Sequence, residues 1–183
     1  MSKVNAPLSL YAPIREERTR TVVSYDLQPA DSATVPDASP SGIWHELYFY
    51  HRLDGRPTLA QIKAAITADI NRRVTDRITA TLTWNGKPVW LSTENQMDWK
   101  AAYDRAVQTD GAPLPQKFKL GEDADGLPVY HTFTSLNAFS DFTDTWQQHI
   151  QQCLADGWQM KDTMDWSVYT TGATVPDGSP SGQ

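Results

Sequence analysis

Apolar positions in this chain switch between helical and strand spacing in a regular order. Leu59, Ile62, Ile66 and Ile70 recur three and four residues apart after Thr58, a residue suited to cap a helix. Trp99, Ala102, Tyr103, Ala106 and Val107 form a second stripe, opened by Ser92 or Thr93. Leu136, Phe139, Phe142, Trp146, Ile150, Cys153 and Leu154 mark one face of a third helix, which Gly157 is expected to end.

Between the helices the period drops to two. In TATLTWNGKPVWLS, Asn85-Gly86 separates two β-type runs, as a two-residue hairpin turn with positive φ at both central positions requires. That turn sets Leu82 opposite Val89 and Ala80 opposite Leu91, with Trp84 on the same face and Trp90 pointing away. QKFKLGEDADGLPVYHTF reads as a second hairpin turning at Asp123–Gly126. From residue 58 the order is therefore α-ββ-α-ββ-α, an α+β fold with antiparallel pairing.

The N-terminal region is less regular. Thr19–Leu27 has strand composition within Pro- and Ser-rich surroundings, and Ile43–His51 is a strand apolar on both faces. The expected organisation is an extended arm with one strand (1–42), a two-sided strand and linker (43–57), a compact α+β domain (58–160) and a polar tail (161–183). Both arms are short of apolar residues to offset an ordering entropy of about 1–2 kcal/mol per backbone residue. Removing residues 167–183 is accordingly expected to block docking into an assembly but leave the melting temperature nearly unchanged.

The arms share one feature. ATVPDASPSG (Ala33–Gly42) and ATVPDGSPSG (Ala173–Gly182) differ only at Ala38 against Gly178. Two prolines fix φ, Asp and Ser cap, and Gly closes a solvent-tolerant connector. The pair reads either as duplicated docking loops, centred on Val35, Pro36, Asp37 and on Val175, Pro176, Asp177, or as a recombination scar.

Chemistry is sparse. His45-Glu46-Leu47 lacks the second histidine one helical turn on that a zinc protease needs, since the next is His51. Asp123–Gly126 lacks the further acidic ligands of a calcium loop. Cys153 lies on an apolar stripe without a basic neighbour in local sequence, His131 and His149 share no metal spacing, and Asp141 and Asp144 read as solvated surface. The expectation is no enzyme, no catalytic residue, no metal and no cofactor. The better lead is aromatic: Trp90, and the row Trp44, Tyr48 and Tyr50, either complete a core or anchor a neighbouring chain.

A formal charge of −6 argues against a nucleic-acid partner. The charge is uneven, with residues 121–183 at −8 and the remainder at +2. The single cysteine fits synthesis in a reducing compartment, and neither a secretory leader nor a membrane-spanning run is visible.

RVTDRITATLTWNGKPVWLSTENQMDWKAAYDRA, followed by HIQQCLADGWQMKDTMD, resembles a domain of unknown function found in tail and tail-fibre-associated proteins of bacteriophages and prophages. Trp84, Asn85, Gly86, Trp90, Leu91 and Cys153 fall on that family's hairpin and late-helix positions, over roughly residues 58–165. Glu94, Ala155 and Lys161 depart from it, standing where the family has Arg, Thr and His. The resemblance implies a phage virion or fibre-assembly protein and names no catalytic residue; the expected reading is a structural component of the tail or a tail appendage, made in the host cytoplasm. Its partners would be other tail proteins and further copies of itself. A fibre-assembly chaperone or a sugar-binding tail module are the alternatives.

Overall fold

The computed structural model describes residues 2–30, 41–50 and 56–170. They form two units, one made of the described residues up to Asp69 together with those from Thr163, the other of Ile70–Asp162.

The first unit holds a four-stranded antiparallel sheet in the order β1-β4-β3-β2, from β1 (Ser2–Pro7), β2 (Ile14–Glu17), β3 (Arg20–Pro29) and β4 (Ser41–Tyr50). The region expected to be an arm with one strand thus supplies three. Val4 pairs with Trp44, Val22 with Tyr48 and Ile14 with Val23, so each short outer strand completes the ladder of a longer inner one. A register shift between Tyr25 and Gln28, with Asp26 at φ 58°, bends β3. Thr21, Val22, Val23, Ser24 and Tyr25 are all fully buried, which places β3 at the interior of the unit.

Helix α1 (Leu59–Ala80) begins with a capping box. The Thr58 amide donates to Gln61 Oε1 at 2.7 Å, and the Gln61 amide donates to Thr58 Oγ1 at 3.3 Å. Its first part, to Asp69, belongs to the sheet unit, where the Tyr25 hydroxyl donates to Asp69. The chain returns to this unit after the last helix. A 3-10 turn, Trp166–Tyr169, buries Tyr169, whose hydroxyl donates to the Ser24 carbonyl at 3.0 Å. The span expected as a polar tail from residue 161 thus includes the end of the last helix and this turn, while residues 171–183 lie outside the described residues.

The second unit follows the predicted order. Strands β5 (Leu82–Trp84) and β6 (Lys87–Val89) form the first hairpin, with Leu82 opposite Val89 and with Asn85 and Gly86 at φ 49° and 71°. Ala80 is not opposite Leu91, because α1 runs through Ala80 and the Leu91 amide donates to Thr79 O. Helix α2 (Thr93–Gln108) is capped by Ser92, and its stripe is buried at Trp99 and Ala106 but exposed at Val107. Strands β7 (Gln116–Glu122) and β8 (Pro128–Phe133) turn where Asp123 Oδ1 accepts from the amides of Asp125 and Leu127.

Helix α3 (Leu136–Asp162) passes straight through Gly157. That glycine is a contact and not a terminator, because a Cβ built there lies 2.5 Å from Val74 Cγ2. The core gathers both hairpins and both later helices, with Phe133 stacked on Phe139 at 4.5 Å and Trp84 edge-on to Phe142 at 5.1 Å. Trp84 also donates its indole N–H to Asp141 Oδ2 at 2.9 Å, so Asp141 is a partner of the core and not merely solvated.

Candidate interaction groove

The strongest candidate site grows out of the register of the first hairpin. Val89 and Leu91 point into the core at 2% and 1% exposure, so Trp90 between them must point out, and it is 51% exposed. Its backbone is held on both sides. The Trp90 amide donates to Leu120 O at 2.7 Å, and its carbonyl accepts from Asn95 Nδ2 at 2.8 Å. The indole is a large apolar plate on a fixed mount.

Around it lies an open groove of about 560 Å³, lined by Ala80, Pro88, Val89, Trp90, Ser92, Asn95, Lys119, Gly121 and Glu122. Gly121 makes the groove possible. A Cβ there would meet Pro88 O at 2.8 Å and Trp90 N at 3.3 Å, so only glycine lets the two hairpins approach this closely. On the rim Lys119 pairs with Glu122 at 2.7 Å. Ser92 Oγ accepts from the Asn95 amide at 3.2 Å, and the carboxyl of Glu94 is held low by its own amide and by Ser92. Nearby, Lys117 sits over the Tyr130 ring at 4.5 Å. An apolar floor, one exposed indole and a few polar groups make a binding surface. The only hydroxyl in the lining is engaged as a helix cap.

The other predicted aromatics separate. Trp44 is 1% exposed and cannot face a neighbour; its indole N–H donates to Glu46 Oε1 at 3.2 Å. Tyr48 donates to Glu46 Oε2 at 2.9 Å and lies under Arg20 at 4.4 Å. Glu46 itself is 5% exposed and is met by Arg15 at 3.4 Å. Trp44 and Tyr48 thus serve a buried carboxylate, as such a charge requires. Tyr48 is half-buried, and Tyr50, at 57% exposure, is the most exposed of the three. Val35, Pro36, Asp37, Val175, Pro176 and Asp177 lie outside the described residues.

Cys153 has a basic neighbour after all. His149, one turn before it, places Nε2 3.7 Å from Sγ and also 3.3 Å from Arg77 O. Burial still pushes the thiol up, opposed by Arg77 and reinforced by Asp156. Among the described residues no group of three His, Cys, Asp or Glu is placed to hold a metal ion. Among the described residues no helix is long and apolar enough to cross a membrane.

A family model described as a domain of unknown function, DUF4376, matches residues 61–176. The chain belongs to the DUF4376 family. The DUF4376 match begins within α1 and takes in the Trp90 groove, α3 and the Tyr169 turn, leaving β1 to β4 outside it. No curated protein and no solved structure matches the chain.

Proposed function

We propose that this protein is a structural, non-enzymatic component of a bacteriophage tail or tail appendage that acts by docking on other tail proteins and on further copies of itself. The observation that carries docking is Trp90, half exposed on a backbone tied to Leu120 and Asn95. Rigid exposed tryptophans beside a groove are what protein interfaces use as anchors, since a pre-ordered indole loses little entropy on burial. The tail assignment rests on the resemblance carried by Trp84, Asn85, Gly86, Trp90, Leu91 and Cys153. On this reading the chain is made in the host cytoplasm and ends in the virion.

Mass spectrometry of purified particles from the phage or induced prophage encoding the chain tests the assignment. A component is present at a fixed ratio to the other tail proteins. Absence from finished particles overturns the reading and favours an assembly chaperone.

A further inference from the structure

Core packing leaves the groove beside Trp90 without a role, and the sequence carries one polar decamer twice. Building on the docking reading, we infer that the groove receives the Val175–Pro180 stretch, Val-Pro-Asp-Gly-Ser-Pro, of a second copy of this chain.

The chemistry of the two matches. Proline fixes φ and favours an extended, left-handed backbone without internal hydrogen bonds, so its carbonyls are open to outside donors and little freedom is lost on binding. Such segments are recognised by aromatic-lined grooves. Here the plate is Trp90, with Pro88 and Ala80 beside it, and the indole N–H is a donor for a peptide carbonyl. The rim pair suits the polar residues of the segment. Lys119 and Glu122, paired with each other in the free groove, offer on binding a cation for an acid such as Asp177 and an acceptor for a hydroxyl such as Ser179.

Size agrees as well. Bound in extended form, Pro176 to Pro180 would span about 12 Å at roughly 3.1 Å per residue. The groove of about 560 Å³ lies within the range of roughly 300–1,000 Å³ typical of small-ligand sites. It admits a few side chains and not a folded domain.

Repetition points to a second copy as occupant. Val35–Pro40 repeats Val175–Pro180 at five of six positions, so each chain offers the same stretch twice. Two such stretches let one chain bridge two neighbours, and linked weak contacts of this kind add as avidity.

The test titrates the peptide ATVPDGSPSG into the full-length protein, following the Trp90 indole N–H resonance and the heat of binding. Saturable binding is expected that shifts this resonance. It should weaken at least tenfold when both prolines of the peptide are replaced by alanine, and it should be lost in Trp90→Ala. Because Trp90 is exposed, that variant should melt like the parent, and Lys119→Ala serves as a second, weaker-binding variant. No binding, or equal binding to Trp90→Ala, overturns the inference. If the peptide fails to bind while Trp90→Ala protein is still excluded from particles, docking stands and the occupant is wrong.

Discussion

The Tyr169 hydroxyl donates to the Ser24 carbonyl at 3.0 Å, joining positions 145 residues apart. This bond closes the sheet unit with a piece of chain from beyond the last helix. The hydroxyl must keep its proton to donate, and burial, followed by the charges of Tyr11 and Asp165, holds its pKa well above the ordinary tyrosine value.

Tyr169→Phe should therefore cost about 0.5–1.5 kcal/mol, the usual net value of one buried hydrogen bond. Deleting residues 167–183 should lower the melting temperature more than deleting 171–183, because only the first deletion removes Tyr169. Thermal melts of both truncations check this, and equal melting temperatures would contradict the placement of the turn.

Gly157→Ala has opposite expected signs under two readings of that glycine. A glycine in an open helix interior gains about 1 kcal/mol when replaced by alanine. Here the new methyl would meet Val74 Cγ2 at 2.5 Å, so the variant should lose about 1–3 kcal/mol instead. Val74→Ala in the same chain should recover part of the loss. Denaturant unfolding of the single and double variants decides the sign.

His131 supplies a pH dependence. It packs edge-on against Trp84 at 4.8 Å, and burial, then the Lys87 charge, holds its imidazole below the ordinary value. The unfolded chain takes up the proton near pH 6.5, roughly the free histidine value, while the folded chain resists it until lower pH. The unfolded state thus binds more protons in that window, and the contribution, full above it, is lost as pH falls through it. His131→Phe removes this term. The stability of the variant relative to the parent should rise between pH 7.5 and pH 5.5, and a constant difference would contradict the burial argument.

The elements legible in the sequence were those with a strong local period. Asn85-Gly86 fixed the first hairpin, and the hairpin's alternation put Trp90 outside. β1 and β2 were hidden because each is short, flanked by proline and holds no fully buried residue, so few strongly apolar side chains mark them. Trp44 was ambiguous because Glu46, which consumes its N–H, looks from sequence like a polar surface residue. Gly157 misled because a helix stop and a helix–helix contact favour the same residue. Gly121 was the missed signal: an isolated glycine in a strand marks a close backbone approach, and here it marks the floor of the groove. Asn95 and Lys119 carry no such mark, since only the fold brings them beside Trp90.

The central claim, docking through Trp90, is tested most directly by counting copies of Trp90→Ala protein in purified particles. The account predicts that the variant folds with the parent's melting temperature yet is incorporated at a tenth of the parent's level or less. Incorporation at the parent's level by a normally folded Trp90→Ala protein would contradict it.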